Sequence, residues 1–295
     1  MFPGTQSDPL PSENRLKPHK VLKRLFRRAR FHLKRTTTRP PPLDPSRMAP
    51  PVVVAALGGS GTRVIVELLT ESGVFMGGAI DPRTRDSLFL RHFIDAHFER
   101  LARDPELDGE ATSRDLDRAI RGHRLGIPNE EDAWGWKNPR SMWLLPYLVK
   151  HFPGLRFIHL VRDGRDLALS GNQFLLGKHG RQILGDRWTG DLVRDQFELW
   201  ALGNTQAADA CARLLGPQAL LIRYEDLCKD PRRELGRLLD FLARPLAHSV
   251  SERIAASVQP SRGLGRGLLD PSDTIRALGT QHAETLRRFG YPTPV

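Results

Sequence analysis

Six consecutive residues combine flexible glycines with hydroxyl and guanidinium donors, which is the chemistry needed to bind an anion. They are Gly58, Gly59, Ser60, Gly61, Thr62 and Arg63. Glycines allow a tight turn that aims successive backbone N–H groups into one concavity, and a helix that begins there adds unpaired N–H groups and a positive dipole end. These residues predict a cradle for phosphate or sulfate. The simpler interpretation is an ordinary strand-to-helix turn.

This loop departs from the nucleoside-triphosphatase pattern G-x-x-x-x-G-K-[ST], in which a lysine reaches the β- and γ-phosphates of the nucleotide. Thr62 and Arg63 follow Gly61, so no lysine stands at the corresponding point. A phosphotransferase of the P-loop kinase type would need that lysine and Mg²⁺. It is therefore the second interpretation of this loop.

A second anion-binding pair follows a later apolar run. Arg162 comes directly after residues 155–161, and Ser170 lies eight positions further along the chain. A guanidinium and a hydroxyl that converge at the end of a strand can hold a phosphate through charge-assisted hydrogen bonds. The same residues also suit a solvated strand end, and their spacing alone leaves both interpretations open.

The elements that must position these residues alternate along the chain. Continuous apolar runs with β-branched residues indicate buried strands at 52–57, 155–161 and 219–224, and a short strand is predicted at 134–137. Helical patterns cover 64–71, 86–125, 141–152, 188–214 and 231–242. We therefore expect an α/β, P-loop-like three-layer fold, in which a central parallel sheet is flanked by helices.

The net charge of +11 is concentrated at one end of the chain. Residues 1–50 hold 12 Lys and Arg against 3 Asp and Glu, whereas the remaining 245 residues hold 33 against 31. We therefore divide the chain into a basic, Pro-rich tail, residues 1–50, and a nearly neutral folded domain, residues 51–295. Because the basicity belongs to the tail, we expect no nucleic-acid partner for the domain.

Within the tail, residues 20–35 carry apolar side chains opposite lysines and arginines, as do helices that lie on anionic membranes. The apolar stripe consists of Val21, Leu22, Leu25, Phe26 and Leu33. A solvated basic tail explains the pattern equally well. No apolar run approaches the roughly 18 residues of a membrane span, and the two cysteines form no disulfide framework. We expect a cytoplasmic protein, and peripheral contact with the inner face of the membrane is one of the two interpretations of its tail.

Four motifs, in the same order, resemble the sulfotransferases that use 3′-phosphoadenosine 5′-phosphosulfate (PAPS). The first is the pairing of G-G-S-G-T-R after one strand with R-D-G-R-D-x-x-x-S after a later strand. Residues 137–140, with the helix and the segment 151–157 that follow, resemble tyrosylprotein and many bacterial sulfotransferases. Residues 223–231 and Gly290-Tyr291 are similar to the late strand and the close of the family. The resemblance spans about residues 52–292.

The resemblance implies an enzyme that moves a sulfuryl group from PAPS to a hydroxyl or amine and releases adenosine 3′,5′-bisphosphate. It places the 5′-phosphosulfate in the glycine-rich loop and the 3′-phosphate at Arg162 and Ser170. Arg266, or Arg262, is expected to close over the nucleotide and Tyr224 to contact its base; a flexible loop and core packing are the alternatives. The acceptor, whether a glycan, lipid, peptide or small molecule, is not specified. No metal is expected, since no cluster has ligand spacing.

Two departures from the family bear on catalysis. Gly59 stands where the family usually carries Lys or Arg to bind the transferring group. Lys137 or Arg63 is therefore expected to stabilise charge on the leaving phosphate. Pro139 stands where cytosolic members carry their histidine base. These departures keep open a third interpretation, a nucleotide-binding relative without catalytic activity.

The acceptor hydroxyl needs another base. Tyrosylprotein sulfotransferases use a carboxylate just after the first helix, and the matching region holds Asp81 and Asp86. We place Asp86 ahead of Asp81, although capping of a helix or turn is the common role of Asp at such positions. Arg83, Arg85 and Arg91 in the same region favour an acidic acceptor, unless they are ordinary surface residues.

We predict that the full chain floats with liposomes that contain anionic lipid and that a variant lacking residues 1–48 does not, because most of the net charge lies in the tail. The measurement is the fraction of protein recovered in the lipid layer, with neutral liposomes as the control. Equal flotation of the two forms would exclude this membrane contact.

Overall fold

A computed structural model describes residues 48–104, 109–270 and 272–293. The amphipathic segment predicted at 20–35 lies outside the described residues. Within them, no helix is long and apolar enough to cross a membrane.

Four parallel strands form the centre of the domain. They are β1 (Val52–Ala56), β2 (Gly135–Lys137), β3 (Arg156–Val161) and β4 (Ala219–Arg223), and their order across the sheet is β2-β1-β3-β4. Val54 pairs with Lys137 on one side of β1, and Ala56 pairs with Leu160 on the other. Because every residue of β1 is buried, its continuous apolar run is that of a strand covered on both faces.

Helices follow the strands and cover the sheet. In chain order they are α1 (Thr62–Glu71), α2 (Leu88–Arg103), α3 (Glu110–His123), α4 (Leu145–His151), α5 (Gly164–Ala168), α6 (Arg181–Leu184), α7 (Leu192–Leu214), α8 (Tyr224–Lys229), α9 (Pro231–Leu242), α10 (His248–Ser257), α11 (Arg266–Leu269), α12 (Asp273–Gln281) and α13 (Ala283–Arg288). Short 3₁₀ turns occur at Pro139–Met142, Gly185–Arg187 and Gly216–Gln218, and a π-helical turn occurs at Leu176–Gly180.

The sheet separates two hydrophobic layers. Val53 and Ala55 of β1 join the larger core beneath α2, α4 and α7, whereas Val52, Val54 and Ala56 face the core beneath α1, α9 and α10. Successive side chains of a strand point to opposite faces, so one apolar run serves both layers. The predicted three-layer α/β fold with a central parallel sheet is confirmed.

Three predicted helices differ in extent for local reasons. The helix predicted at 141–152 is divided into a 3₁₀ turn, which the side chain of Asn138 caps, and α4, which has a proline in its first turn. The helix predicted at 188–214 begins only at Leu192, because Asp191 accepts hydrogen bonds from the next backbone amides and acts as the N-cap. Residues 86–125 form two helices, and Ser87 caps the first.

A buried histidine holds the start of α2 against the edge of the sheet. Nε2 of His123 donates to the carbonyl oxygen of Gly135 at 2.8 Å, and Nδ1 lies 2.8 Å from Oγ of Ser87. Burial lowers the pKa of His123 to about 4, so the ring is neutral at physiological pH. A Cβ atom at Gly77 would lie 2.3 Å from this ring. The brace fixes the segment that precedes α2 beside Lys137.

Candidate functional site

The carboxyl ends of β1, β2 and β3 open into one cleft of about 1310 Å³. Eleven of the twelve residues selected from the sequence line it: Gly58, Gly59, Gly61, Thr62, Arg63, Asp86, Lys137, Arg162, Ser170, Tyr224 and Arg266. The exception is Ser60. The structure therefore brings the two anion-binding motifs into one cavity, as expected where parallel strands deliver their chains into helices.

The glycine-rich loop turns as its composition requires. Gly59 and Gly61 have φ values of 95° and 79°, a conformation that other residues rarely adopt, and Gly61 is the N-cap of α1. A Cβ atom at Gly61 would lie 2.5 Å from the ring of Tyr224. Oγ of the buried Ser60 donates to the carbonyl oxygen of Leu57 at 2.8 Å. The Ser60 side chain thus braces the loop, and its hydroxyl is not presented to the cleft.

Ser170 lies on a segment that contacts the glycine-rich loop. It lies after α5, which ends at Ala168, and outside any helix. Its Oγ accepts a hydrogen bond from the backbone amide of Asn172 at 3.2 Å. A Cβ atom at Gly58 would lie 2.5 Å from Nδ2 of Asn172, so the two segments touch. Nothing in the sequence around Asn172 had indicated this close approach.

Arg162 links three parts of the site. Its NH1 group donates to the carbonyl oxygen of Gly59 at 3.1 Å, and its Nε and NH2 groups donate to Oδ2 of Asp166 at 3.3 and 2.9 Å. Its guanidinium also lies over the ring of Tyr224, 5.2 Å from the centroid, in a cation–π contact. Burial raises the pKa of the Tyr224 phenol, which accepts a hydrogen bond from the amide of Ser261.

Asp166 connects residues 265–267, a distant segment of the chain, to Arg162. Its carboxylate, 1% exposed, accepts hydrogen bonds from the amides of Gly265 and Gly267 at 2.8 and 2.9 Å. The guanidinium of Arg266 donates to the main-chain oxygen of Asp166 at 2.7 Å. The sequence analysis missed this residue. The four-residue spacing between Arg162 and Asp166 could have indicated their ion pair, because side chains at this spacing meet on a helical turn.

The late motifs of the chain contact one another. Oε1 of Glu225 accepts a hydrogen bond from the amide of Asp163, and Oε2 accepts one from the hydroxyl of Tyr291 at 2.9 Å. The guanidinium of Arg223 stacks over the Tyr291 ring at 4.6 Å. Burial raises the pKa of Glu225. These contacts hold the C-terminal residues against the turn that follows β3.

A buried ion pair lies at the other end of the cleft. Nζ of Lys137 donates to Oδ1 of Asp86 at 2.7 Å and to the carbonyl oxygen of Thr84 at 2.9 Å. The two side chains are 6% and 13% exposed. No residue that the structure describes donates a hydrogen bond to the second carboxylate oxygen of Asp86. A carboxylate with one free oxygen can accept a proton there.

Asp81 and Asp86, which lie in the segment before α2, make different contacts. Oδ1 of Asp81 accepts hydrogen bonds from the amides of Arg83 and Thr84 at 2.9 and 3.0 Å, which is the capping role weighed for it above. Asp86 caps no helix, because Ser87 does so for α2. Within the described ranges, no group of three or more His, Cys, Asp or Glu side chains is arranged to hold a metal ion.

Comparison with protein families gives one match. The model of the sulfotransferase family matches residues 51–248, about two thirds of the chain. No curated protein is significantly similar to the sequence.

Solved structures share the fold. The sulfotransferase domain from the curacin biosynthetic pathway superposes with a TM-score of 0.55 at 16% identity, over 84% of this chain and 99% of that domain. Sulfotransferase STF9 from Mycobacterium avium gives 0.54 at 16% identity, over 96% of this chain and 88% of its own. A sulfotransferase from Alicyclobacillus acidocaldarius gives 0.50 at 15% identity, over 81% and 94%.

We predict that Asp166→Ala lowers the free energy of unfolding by about 3–5 kcal/mol, because it leaves the buried Arg162 guanidinium without its counter-charge. Urea unfolding measures this loss, and hydrogen exchange at Gly265 and Gly267 should accelerate as their acceptor disappears. Asp226→Ala is the control, since its pair with Arg223 is half-exposed and worth about 1 kcal/mol or less. An Asp166→Ala loss no larger than the control would contradict the assigned role.

Proposed function

The chain belongs to the sulfotransferase family, and we propose that it transfers a sulfuryl group from PAPS to a hydroxyl or amine of an acceptor bound in the cleft. One observation carries this proposal. The two anion-binding motifs end adjacent strands and open into one cavity, where Arg162 reaches the carbonyl oxygen of Gly59 at 3.1 Å. PAPS carries a phosphosulfate at one end of its ribose and a phosphate at the other, so a single molecule can occupy both motifs.

The hydrogen-bond donors that line the cleft suggest how the nucleotide would be held. The backbone amides of the loop 59–62 and of the start of α1 would hold the 5′-phosphosulfate. Arg162 uses three of its five N–H groups on Asp166 and Gly59, which leaves two for the 3′-phosphate. Ser170 lines the same cleft and would supply a hydroxyl. Arg266, fastened to Asp166, would close the cleft over the nucleotide.

The proposed reaction uses the pair at the acceptor end of the cleft. The acceptor oxygen forms a bond to sulfur while the bond from sulfur to the 5′-phosphate oxygen breaks, and adenosine 3′,5′-bisphosphate leaves with that electron pair. Asp86 takes the acceptor proton. Lys137 and the exposed Arg63 offset the charge that develops on the leaving phosphate, in place of the cation absent at Gly59. Among the described residues that line the cleft there is no histidine, which agrees with a carboxylate base.

Two other functions remain as alternatives to test. A P-loop kinase would need a lysine from the loop to reach the γ-phosphate, and Gly61-Thr62-Arg63 offers none. A relative that binds nucleotide without catalysis would tolerate Gly59 and Pro139. The buried Asp86–Lys137 pair argues for catalysis, because a charged pair is costly to bury in a cleft unless it has a function there.

We further propose that residues 51–295 form the catalytic domain and that residues 1–50 are a basic tail, which holds a cytoplasmic enzyme at the inner face of the membrane. The start of the family match at residue 51 supports the boundary. The charge pattern of residues 20–35 supports the membrane contact.

We predict by calorimetry that the protein binds adenosine 3′,5′-bisphosphate at least about tenfold more tightly than ATP with Mg²⁺, since one additional charged hydrogen bond contributes roughly 1.5–3 kcal/mol. Arg162→Ala should weaken binding of the bisphosphate by about 10- to 100-fold. It should weaken binding of AMP, which lacks the 3′-phosphate, by a smaller factor, because the contact from Arg162 to the carbonyl oxygen of Gly59 is lost for both ligands. Arg162→Lys, which keeps the charge, should lie between.

Arg156→Ala is the matched control for that series, because it removes an arginine from the opposite end of β3. It should leave both affinities unchanged. Equal weakening of the bisphosphate and AMP in Arg162→Ala would show that this contact is misassigned. Tighter binding of ATP with Mg²⁺ would favour the kinase.

We predict that Asp86→Asn lowers sulfuryl transfer by about 10²- to 10⁴-fold, because the amide cannot accept the proton, while the affinity for adenosine 3′,5′-bisphosphate stays within about threefold. The measurement is radiolabelled sulfate moved from PAPS into the components of a cell extract. Asp81→Asn is the control and should retain turnover, since an amide oxygen still caps the turn at residues 83 and 84. Full turnover by Asp86→Asn would rule out the assignment.

A further inference from the structure

The cleft has two walls that the proposed nucleotide contacts leave unused. One is the turn formed by residues 82–86, which ends at the proposed base. The other is the segment 172–175, which lies beyond the glycine-rich loop. The chemistry of the acceptor must match the side chains that these walls present, so the inference drawn below rests on the proposed function.

The first wall carries positive charge that the protein does not neutralise. Arg83 and Arg85 are exposed, line the cleft and have no ion pair with any residue that the structure describes. The neighbouring arginines differ: Arg91 pairs with Asp81 at 3.3 Å, and Arg140 pairs with Asp95 at 2.8 Å. The two unpaired guanidinium groups are therefore available to a ligand.

The turn that carries these arginines is fixed in place. Its backbone is held by the capping bonds of Asp81 and by the bond from Lys137 to the Thr84 oxygen. Arg85 has a φ of 62°, a left-handed conformation that costs a residue with a side chain about 1–2 kcal/mol. Such strain persists where the surrounding contacts impose it, often beside a functional group. Here it sets Arg85 directly before Asp86.

The second wall presents an apolar ring. Phe174 is 68% exposed although it lines the cleft. The segment is held at both ends: Asn172 lies against Gly58, and Nζ of Lys178 lies 2.7 Å from Oδ1 of Asp95 on α2. An exposed phenyl ring held inside a cleft gains free energy when an apolar ligand covers it.

We propose that the acceptor is an amphiphilic anion. It places its hydroxyl at Asp86, an apolar ring or chain against Phe174, and a carboxylate, phosphate or sulfate against Arg83 and Arg85. Guanidinium groups bind all three anions through paired hydrogen bonds. Neutral sugars and simple alcohols offer neither the anion nor the apolar surface and are poor acceptors.

The test compares four probe acceptors at saturating PAPS, with release of adenosine 3′,5′-bisphosphate as the readout. They are para-hydroxyphenylacetate, its neutral amide, omega-hydroxylaurate and gluconate. The wild type should favour para-hydroxyphenylacetate over the amide by about tenfold in kcat/KM, and over gluconate, which has no apolar part, by at least as much. The omega-hydroxylaurate arm distinguishes an aliphatic chain from an aromatic ring as the apolar part.

Two variants assign the preference to the two walls. Arg83→Gln with Arg85→Asn, in which asparagine tolerates the left-handed turn, should remove the advantage of the acid over the amide. Phe174→Ala should lower kcat/KM for both aryl probes by about the same factor. The ratio of kcat/KM for the acid to that for the amide should therefore stay as in the wild type. Arg187→Gln with Arg213→Gln is the control, since it removes the same charge from exposed positions outside the cleft.

The possible outcomes separate this inference from the function on which it rests. If adenosine 3′,5′-bisphosphate does not bind the wild type, the proposed function fails. If it binds, but the amide is used as well as the acid, or neither para-hydroxyphenylacetate nor omega-hydroxylaurate is turned over, the amphiphilic acceptor is wrong, and transfer of labelled sulfate from PAPS into the cell extract decides separately whether the function stands. An acid preference that survives the double arginine substitution would likewise overturn the assignment to Arg83 and Arg85.

Discussion

The guanidinium of Arg162 joins the segments on which the nucleotide site depends. Through Gly59 it contacts the loop after β1, through Asp166 it contacts α5, and through the Tyr224 ring it contacts the chain after β4. Asp166 then extends the connection to the glycines of residues 265–267. A charge buried in this way is stable only when each partner is present, so the four segments must assemble together. The same geometry leaves part of the guanidinium free for a ligand.

The order of the strands explains why binding and chemistry meet in one place. β1 lies between β2 and β3, so the glycine-rich loop emerges between Lys137 at the end of β2 and Arg162 after β3. Parallel strands place all three carboxyl ends at one edge of the sheet. A nucleotide bound to the loop as proposed would therefore have a cation on each side.

Patterns confined to one segment predicted the fold and most of the cleft, whereas contacts between distant segments remained hidden. Apolar runs identified the strands, and glycine spacing identified the loop. The hydroxyl of Ser60 turns inward because Leu57 offers a buried carbonyl oxygen, which no local pattern reveals. Asp166 and Asn172 acquire their roles from partners about a hundred residues away. The 3₁₀ turn that precedes α4 begins at the cap supplied by Asn138, whose role became visible only with the turn itself.

The absence of a cation at Gly59 changes how the proposed reaction balances charge. Two of the three N–H groups of Lys137 donate to Oδ1 of Asp86 and to the carbonyl oxygen of Thr84. The third would be available to the leaving phosphate. Before transfer, the carboxylate of Asp86 offsets most of the lysine charge. When Asp86 accepts the acceptor proton it becomes neutral, and Lys137 loses its counter-charge as negative charge gathers on the leaving oxygen. In the proposed reaction, proton uptake by Asp86 would therefore stabilise the transition state more than the ground state, which is the condition for catalysis.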